Sequence, residues 1–225
     1  IGLKYGISFV RFITLLKITP LLFIIFFGFM DVSSNNLHIA SIPSINNIGE
    51  MSLILFFAFQ GASSALSISG EVKNPKKSIP KAIILTIVVV LIIYILIQTI
   101  SQGILGDSLP LFTENPLGEV AKYMIGPIGF ILLSVAAAIS MFGTLSSKSL
   151  SIPRVIFAAS KDEVIPIKKL SLVHSKYLTP HISIITYVSL GFLFASLGGF
   201  KQMAIISTSA EILIYLGISF SIIKL

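Results

Sequence analysis

Residues 56–64 read FFAFQGASS and residues 70–82 read GEVKNPKKSIPKA, and these two segments say most about the fold of the chain. The first part is an apolar helix sequence that glycine and small hydroxyl residues interrupt from Gly61 onward. The second part is a basic turn punctuated by prolines. Such a break gains little in a soluble core. At mid-depth in a bilayer, it leaves backbone N–H and C=O groups for a small polar molecule to bind. The stretch therefore predicts a membrane protein with a polar site near its centre.

The composition is that of a membrane protein. The chain has 225 residues, of which 55% are hydrophobic and 11% are charged, whereas soluble domains carry about 25% charged residues. A net charge of +7 would suggest nucleic-acid binding in a soluble protein. Here an excess of Lys and Arg in cytoplasmic loops explains the charge, so no nucleic-acid partner is expected. The chain has no cysteine, which excludes disulfides and thiol chemistry. Metal-ligand spacings and phosphate loops are also absent, so neither a metal nor an organic cofactor is expected.

Apolar segments predict about six membrane-spanning helices, because a hydrocarbon core of roughly 30 Å takes some 20 residues at 1.5 Å each. Their approximate bounds are Ile7–Met30, Met51–Gly70, Ala82–Leu105, Met124–Ser147, Ile182–Gly199 and Met203–Ile223. Lys and Arg cluster in alternate connections, at residues 71–81 and 154–181. Because such connections stay in the cytoplasm, both ends of this chain are expected to be cytoplasmic. The predicted fold class is all-α and polytopic.

Prolines and glycines predict the helix boundaries. Pro20 should kink the first span, and Asn74-Pro75 with Ile79-Pro80 should bend the connection after the second span. Gly126-Pro127 and Thr179-Pro180 predict the starts of the fourth and fifth spans, and Pro153 marks the end of the fourth.

Three features of the chain resemble amino acid permeases of the amino acid–polyamine–organocation (APC) superfamily. Residues 56–82 are similar to the sixth helix of that family and the loop after it. SMFGTL at residues 140–145 and PRVIFAASKD at residues 153–162, with Pro166, resemble the eighth helix and its following loop. Lys17 looks like the fifth-helix lysine of proton-coupled members. The resemblance covers essentially the whole chain, and these features occur in the family's order.

The resemblance implies a LeuT-like fold of twelve helices built from two inverted repeats, of which this chain resembles helices five to ten. We therefore expect residues 1–225 to be a single transmembrane domain and a fragment of a longer permease. The complete protein would transport an amino acid or a related amine by alternating access, coupled to protons or as an exchanger. Its partners would be this small molecule, protons and the lipid bilayer, with the missing helices possible in a separate chain.

Two other functions stay open at this stage. The chain could be an inactive fragment of a truncated or split gene, or a membrane binder that keeps the site without the transport cycle. An enzyme is not expected, because no predicted span contains a histidine or a paired set of catalytic side chains.

The resemblance implies that the interrupted helix binds the substrate. Its unwound carbonyls would accept from an ammonium group, its hydroxyls would make polar contacts, and Phe57 aligns with a gating aromatic. The implied substrate-binding residues are Phe57, Gly61, Ala62, Ser63 and Ser64. Close helix packing through small residues and a lipid-facing Phe57 are the alternatives. Many relatives have an acidic residue at the position of Ser63, and its absence argues against cationic substrates.

Two ionisable residues inside the predicted spans are candidates for proton coupling. Lys17 lies near the middle of the first span, where removal from water favours the neutral amine, so it can alternate between two charge states. In the family such a lysine takes the place of a sodium ion, so no metal is implied. Glu211 lies in the sixth span, where it could pair with Lys17 or relay a proton. The alternatives are a structural role for Lys17 and a position of Glu211 closer to external water.

Overall fold

The computed structural model describes residues 3–38, 43–61, 72, 74–175 and 179–223. Helices account for most of these residues, and no strand occurs among them. The α-helices are α1 (Leu3–Gly28), α2 (Ile45–Ala58), α3 (Pro75–Leu105), α4 (Pro116–Ile125), α5 (Pro127–Lys161), α6 (His181–Leu197) and α7 (Phe200–Ile223). Short 3₁₀ helices cover Phe29–Asp31, Ser34–Leu37, Gly106–Leu111 and Lys168–Ser171. The predicted all-α class is confirmed.

Four helical segments in the described part of the chain are long and apolar enough to cross a membrane. They are Thr14–Asp31, Pro75–Leu111, Pro127–Lys161 and Phe200–Ser221. α2 and α6 are also apolar but shorter, with 14 and 17 residues. α2 overlaps the second predicted span at residues 51–58 but begins six residues before it, at Ile45, while α6 covers most of the fifth. Residues 62–70 of the second span lie outside the described residues. The chain is thus a multi-pass membrane protein, and its many exposed large apolar side chains suit a lipid-facing surface.

Two of the predicted proline and glycine signals are confirmed. α5 begins at Pro127, directly after Gly126, whose φ of +74° is a conformation that glycine adopts without strain. α6 begins at His181, directly after Pro180. Pro20 lies inside α1, where its ring removes one backbone hydrogen bond, and the kink expected there stays a prediction.

The predicted bend at Ile79-Pro80 is wrong, because α3 already begins at Pro75. Pro75 fits the first turn of a helix, where its missing N–H would have no partner in any case. Pro80 lies in the second turn and cannot donate to the carbonyl of Lys76. Lys76 is exposed, so water can satisfy that carbonyl and the helix continues. The basic connection therefore forms the first turns of α3.

The fourth predicted span extends past its predicted end. α5 runs through Pro153 to Lys161, well beyond Ser147. Pro153 is fully buried. Transmembrane helices tolerate an internal proline where surrounding protein groups satisfy the freed carbonyl.

The connection between α3 and α5, predicted as a loop, contains α4. Asn115 begins this helix, since its side chain accepts a hydrogen bond from the Gly118 N–H at 3.0 Å and Pro116 follows it. Val120 and Ala121 on one face are fully buried, while Glu119 and Lys122 form an ion pair at 3.0 Å. The turn chemistry and the amphipathic pattern together explain a helix in this position.

The chain forms two compact units. The first comprises Ile1–Ile42 and Phe59–Gly143, and it contains α1, α3, α4 and the N-terminal part of α5. The second comprises Pro43–Ala58 and Thr144–Leu225, and it contains α2, α6, α7 and the C-terminal part of α5.

The core of the first unit lies where α1 and α3 end. Ile24 of α1 and Ile100 and Ile104 of α3 pack against α4 and the beginning of α5. Glycines allow this approach: a Cβ on Gly28 would lie 2.7 Å from Ile100, and one on Gly103 would lie 2.6 Å from Val32. The two helix ends are therefore packed as closely as their backbones permit.

The segment after α1 also caps the C-terminal end of α3. The last carbonyls of an α-helix have no intrahelical partner. The carbonyl of Gly103 accepts from the Ser33 N–H at 3.0 Å and from Asn36 Nδ2 at 2.9 Å. Gln102 Nε2 donates in turn to the Asn36 carbonyl at 3.1 Å. These bonds satisfy polar backbone at the end of a long apolar helix.

The second unit is held by buried hydroxyl groups. Ser183 of α6 is fully buried and donates to the Leu170 carbonyl at 2.7 Å. Ser160 near the end of α5 donates to the Ile167 carbonyl at 2.7 Å. Both bonds attach the connection between α5 and α6 to a helix.

Gly103→Ala tests the close packing in the first unit. The new methyl group would overlap Val32, whose branched side chain is stiff, so we expect a loss of about 1–3 kcal/mol in the free energy of unfolding. Gly191→Ala in α6 is the control, because nothing lies within 4 Å of its added Cβ. Thermal unfolding in detergent, followed by far-UV circular dichroism, compares the two variants. Equal melting temperatures for both would contradict the tight contact.

Candidate functional site

The predicted interruption of the apolar helix begins at the end of α2. α2 stops at Ala58, and residues 59–61 form a turn. Gly61 has a φ of +116°, which side-chain-bearing residues rarely adopt, while a Cβ there would meet nothing within 4 Å. The position therefore needs glycine for its backbone conformation and not for space. Ala62, Ser63 and Ser64 lie outside the described residues.

Aromatic rings surround the last turn of α2. Phe57 is half-buried, and its ring lies edge-on to Phe200 with 5.7 Å between centroids. Phe56 lies 6.4 Å from the ring of Tyr215. Phe57 thus contacts the beginning of α7, which favours a protein contact over a purely lipid-facing position. A gating role for it stays a prediction.

α2 packs along α7 in what we call the α2–α7 seam, formed by Glu50, Leu53 and Phe56 of α2 with Lys201, Thr208 and Tyr215 of α7. Thr208 is fully buried and donates its hydroxyl to the Leu53 carbonyl at 3.1 Å. Lys201 and Glu50 form an ion pair at 2.9 Å, with both side chains well exposed. Exposed ion pairs contribute at most about 1 kcal/mol to stability, so the buried contacts are the ones that hold α2 against α7.

Glu211 of α7 has a hydrogen-bond donor one turn further along the helix. The Tyr215 hydroxyl donates to Glu211 Oε1 at 2.6 Å, and Glu211 is half-buried. The same Tyr215 ring contacts Phe56 near the end of α2. The carboxylate is therefore linked through one tyrosine to the end of the interrupted helix.

Lys17 lines a cleft of about 360 Å³ within the first unit. The other polar side chains in its lining are Glu114, Asn115 and Ser140, and apolar residues of α1, α4 and α5 complete it. Pro20, one turn after Lys17, also lines the cleft and leaves a helix carbonyl without its usual donor. The cleft places a carboxylate and other polar side chains near Lys17, and such surroundings are typical of ionisable residues inside membrane proteins.

The sequence-predicted site residues are distributed over both units. Lys17 and Gly61 belong to the first, and Phe57 and Glu211 belong to the second. Pairing between Lys17 and Glu211 stays a prediction. Among the described residues, no group of three or more His, Asp or Glu side chains could hold a metal ion.

Sequence reasoning missed Glu114 and Tyr215. Glu114 stood in an apparently ordinary acidic loop, about a hundred residues from Lys17 along the chain, and only the packing of α4 against α1 places both in one cleft. Tyr215 carried a detectable signal, because residues four apart share a helix face and Glu211 needs a polar neighbour there.

Comparison with known proteins gives a consistent result. A family model described as amino acid permease matches residues 1–225. The serine/threonine exchanger SteT of Bacillus subtilis is 33% identical over 199 residues, covering 84% of this chain and 44% of that protein. The branched-chain amino acid permease BcaP of the same organism is 24% identical over 225 residues, covering 100% of this chain and 48% of BcaP. An arginine/ornithine antiporter of Pseudomonas aeruginosa is 28% identical over 162 residues, covering 68% of this chain and 33% of the antiporter. The chain spans about half the length or less of these relatives.

Thr208→Val tests the α2–α7 seam. Valine has about the volume of threonine but lacks the hydroxyl that donates to the Leu53 carbonyl. The free energy of unfolding should therefore fall by about 1 kcal/mol. Ser209→Ala is the matched control, since Ser209 is exposed and its hydroxyl bonds only within α7, to the Ile205 carbonyl at 2.8 Å. Melting temperatures of the two variants in detergent are compared. A larger effect of Ser209→Ala would argue against the seam.

Proposed function

The chain belongs to the amino acid permease family, and we propose that the complete protein moves an amino acid or a related amine across the cytoplasmic membrane by alternating access. The observation that carries the proposal is the end of α2 at Ala58, followed by Gly61 at positive φ, in a helix that the family uses for substrate. Discontinuous helices in inverted-repeat transporters bind substrates through exposed backbone groups and helix ends.

The substrate's ammonium group is assigned to the last carbonyls of α2. The C-terminal end of an α-helix carries the negative end of the helix dipole, which attracts a cation. Ser63 and Ser64 would add hydroxyl contacts, Gly61 and Ala62 would keep the backbone accessible, and Phe57 would close over the substrate. The contact of Phe57 with Phe200 supports this gate, because a movement of α2 against α7 would change the ring's position.

Lys17 is assigned to proton coupling. Glu114 lines the same cleft and belongs to a connection that we assign to the outside of the cell, because the Lys-rich and Arg-rich connections are expected in the cytoplasm together with both ends of the chain. A lysine between external water and the protein interior can take up a proton on one side and release it on the other. Glu211, which accepts from Tyr215, is assigned to the same proton path.

Exchange without net proton movement is the second candidate. Two of the similar proteins carry the names exchanger and antiporter, and one is called a permease. Their names refer to serine and threonine, to branched-chain amino acids, and to arginine and ornithine. Ser63 favours neutral over cationic substrates for this protein, because no carboxylate occupies that position to neutralise a second positive charge.

Lys17→Met separates coupling from transport. Methionine keeps the apolar stem but removes the exchangeable proton, so uptake driven by a pH gradient should fall to its level without a gradient, while counterflow of preloaded substrate continues. Uptake is measured with the complete protein in proteoliposomes. Lys148→Met is the control, since Lys148 is an exposed lysine of α5.

Unchanged pH-driven uptake in Lys17→Met would refute the role of Lys17. Counterflow in the wild-type protein with no response to a pH gradient would favour the exchanger. Absence of both activities across the proteinogenic amino acids would refute transport.

Ser63→Asp tests the substrate subsite. A carboxylate at this position should improve competition by cationic amino acids relative to neutral ones by about tenfold or more, since hydrogen bonds to charged groups contribute about 1.5–3 kcal/mol. Ser63→Asn is the matched control, because it has the same shape without the charge. Competition against labelled substrate uptake in proteoliposomes gives the ratio. The same ratio in both variants would place the substrate's side chain away from Ser63.

A further inference from the structure

The first unit contains a second cleft, of about 500 Å³, next to the Lys17 cleft. It lies between Leu21 of α1, the C-terminal half of α3 and the connection at residues 109–117. Leu21, Pro116 and Leu117 line both clefts and thus form a shared wall. Neither the family resemblance nor the proposed transport cycle uses this second cleft.

Polar side chains line one face of α3 within this cleft. Tyr94, Gln98 and Ser101 follow one another at spacings of four and three residues, which places them on one side of the helix. Thr113 adds a further hydroxyl from the opposite connection. The remaining lining residues are apolar, so the cleft combines an apolar body with a small polar end.

Ser101 is the unusual member of this group. It is 3% exposed, and its hydroxyl is buried without a hydrogen-bond partner in the described part of the chain. The neighbouring hydroxyl of Thr99 donates to the Ile95 carbonyl at 2.8 Å, and hydroxyls in other helices make the same bond within their helix. A buried hydroxyl without a partner is unfavourable, and a ligand that bonds to it would remove this cost.

The charge of the lining decides the class of ligand. None of the lining residues carries a charge. An ammonium or carboxylate group would lose its hydration there without gaining a counter-ion, which is strongly unfavourable. A zwitterionic amino acid is therefore a poor ligand, and an uncharged molecule with a hydroxyl or amide group is a good one.

We infer that this cleft binds an uncharged amphiphile from the bilayer, with its hydroxyl or amide head at Ser101 and Gln98 and its apolar chain between α1 and α3. The shared wall brings this ligand against the cleft of Lys17. The inference does not depend on the proposed transport activity.

Photolabelling of the complete protein in proteoliposomes tests the inference, with a diazirine analogue of 1-octanol as the probe. Label should concentrate in peptides that contain residues 94–101 and 109–117. Excess 1-octanol or octanamide should suppress it, whereas octane, octylammonium and octanoate should not. Equal suppression by octane would show that the polar head is not recognised and would overturn the inference, as would a uniform distribution of label over the apolar helices.

Two pairs of variants locate the site. Ser101→Ala should reduce specific labelling by about two- to tenfold, the range expected for one hydrogen bond, without lowering the melting temperature, because it removes an unpartnered buried hydroxyl. Thr99→Ala is its control on the same helix. Thr113→Trp should block the cleft, and Leu111→Trp is its control, since Leu111 is 78% exposed and does not line this cleft. Wild-type labelling in both Ser101→Ala and Thr113→Trp would refute the site.

Discussion

In the hydrocarbon of a membrane, every backbone N–H and C=O group needs a hydrogen-bond partner, and the other features of this protein follow from that constraint. An N–H or C=O group that faces lipid without a partner costs several kcal/mol, so the chain crosses the membrane as α-helices and satisfies their ends with protein groups. The end of α3 illustrates the solution, since Ser33 and Asn36 both donate to the Gly103 carbonyl. The end of α2 at Ala58 also falls inside an apolar stretch of the sequence, so its last backbone groups face the same requirement.

The same constraint governs the ionisable side chains. Lys17 lies in a cleft with Glu114 and Asn115, and Glu211 accepts a hydrogen bond from Tyr215. Lys17 and Glu211 therefore each lie near polar groups, although the remaining surface of their helices is apolar. The polar side chains near Lys17 come from α5 and from the residues just before α4, so a movement of these elements would change the surroundings of Lys17. This dependence is what a coupled transporter needs, and it connects the helix packing to the proposed cycle.

The two clefts of the first unit differ in charge although they share a wall. The cleft with Lys17 and Glu114 suits protons and ions, whereas the cleft with Ser101 and Gln98 suits an uncharged molecule. Leu21 and Leu117 line both clefts, and the rotamers of these side chains could change when a ligand binds in either cleft. A lipid-side ligand would then act on the proposed coupling residue, Lys17, through the packing of this shared wall.

Local patterns in the sequence predicted the class of this protein, its long apolar helices and several of their boundaries. These properties depend on local physics: apolar length sets a span, and Gly126, Pro127 and Pro180 restrict φ or remove an N–H at their own positions. Where neighbours outweighed this local effect, the prediction was wrong, as at Pro80 inside α3 and in the connection that contains α4. Which side chains lie near one another depends instead on the packing of the helices. Glu114 and Lys17 line one cleft, Thr208 bonds to Leu53, and the Ser101 hydroxyl is buried with no partner among the described residues. Helix packing brings together residues that are distant in the chain, and no local pattern encodes those distances.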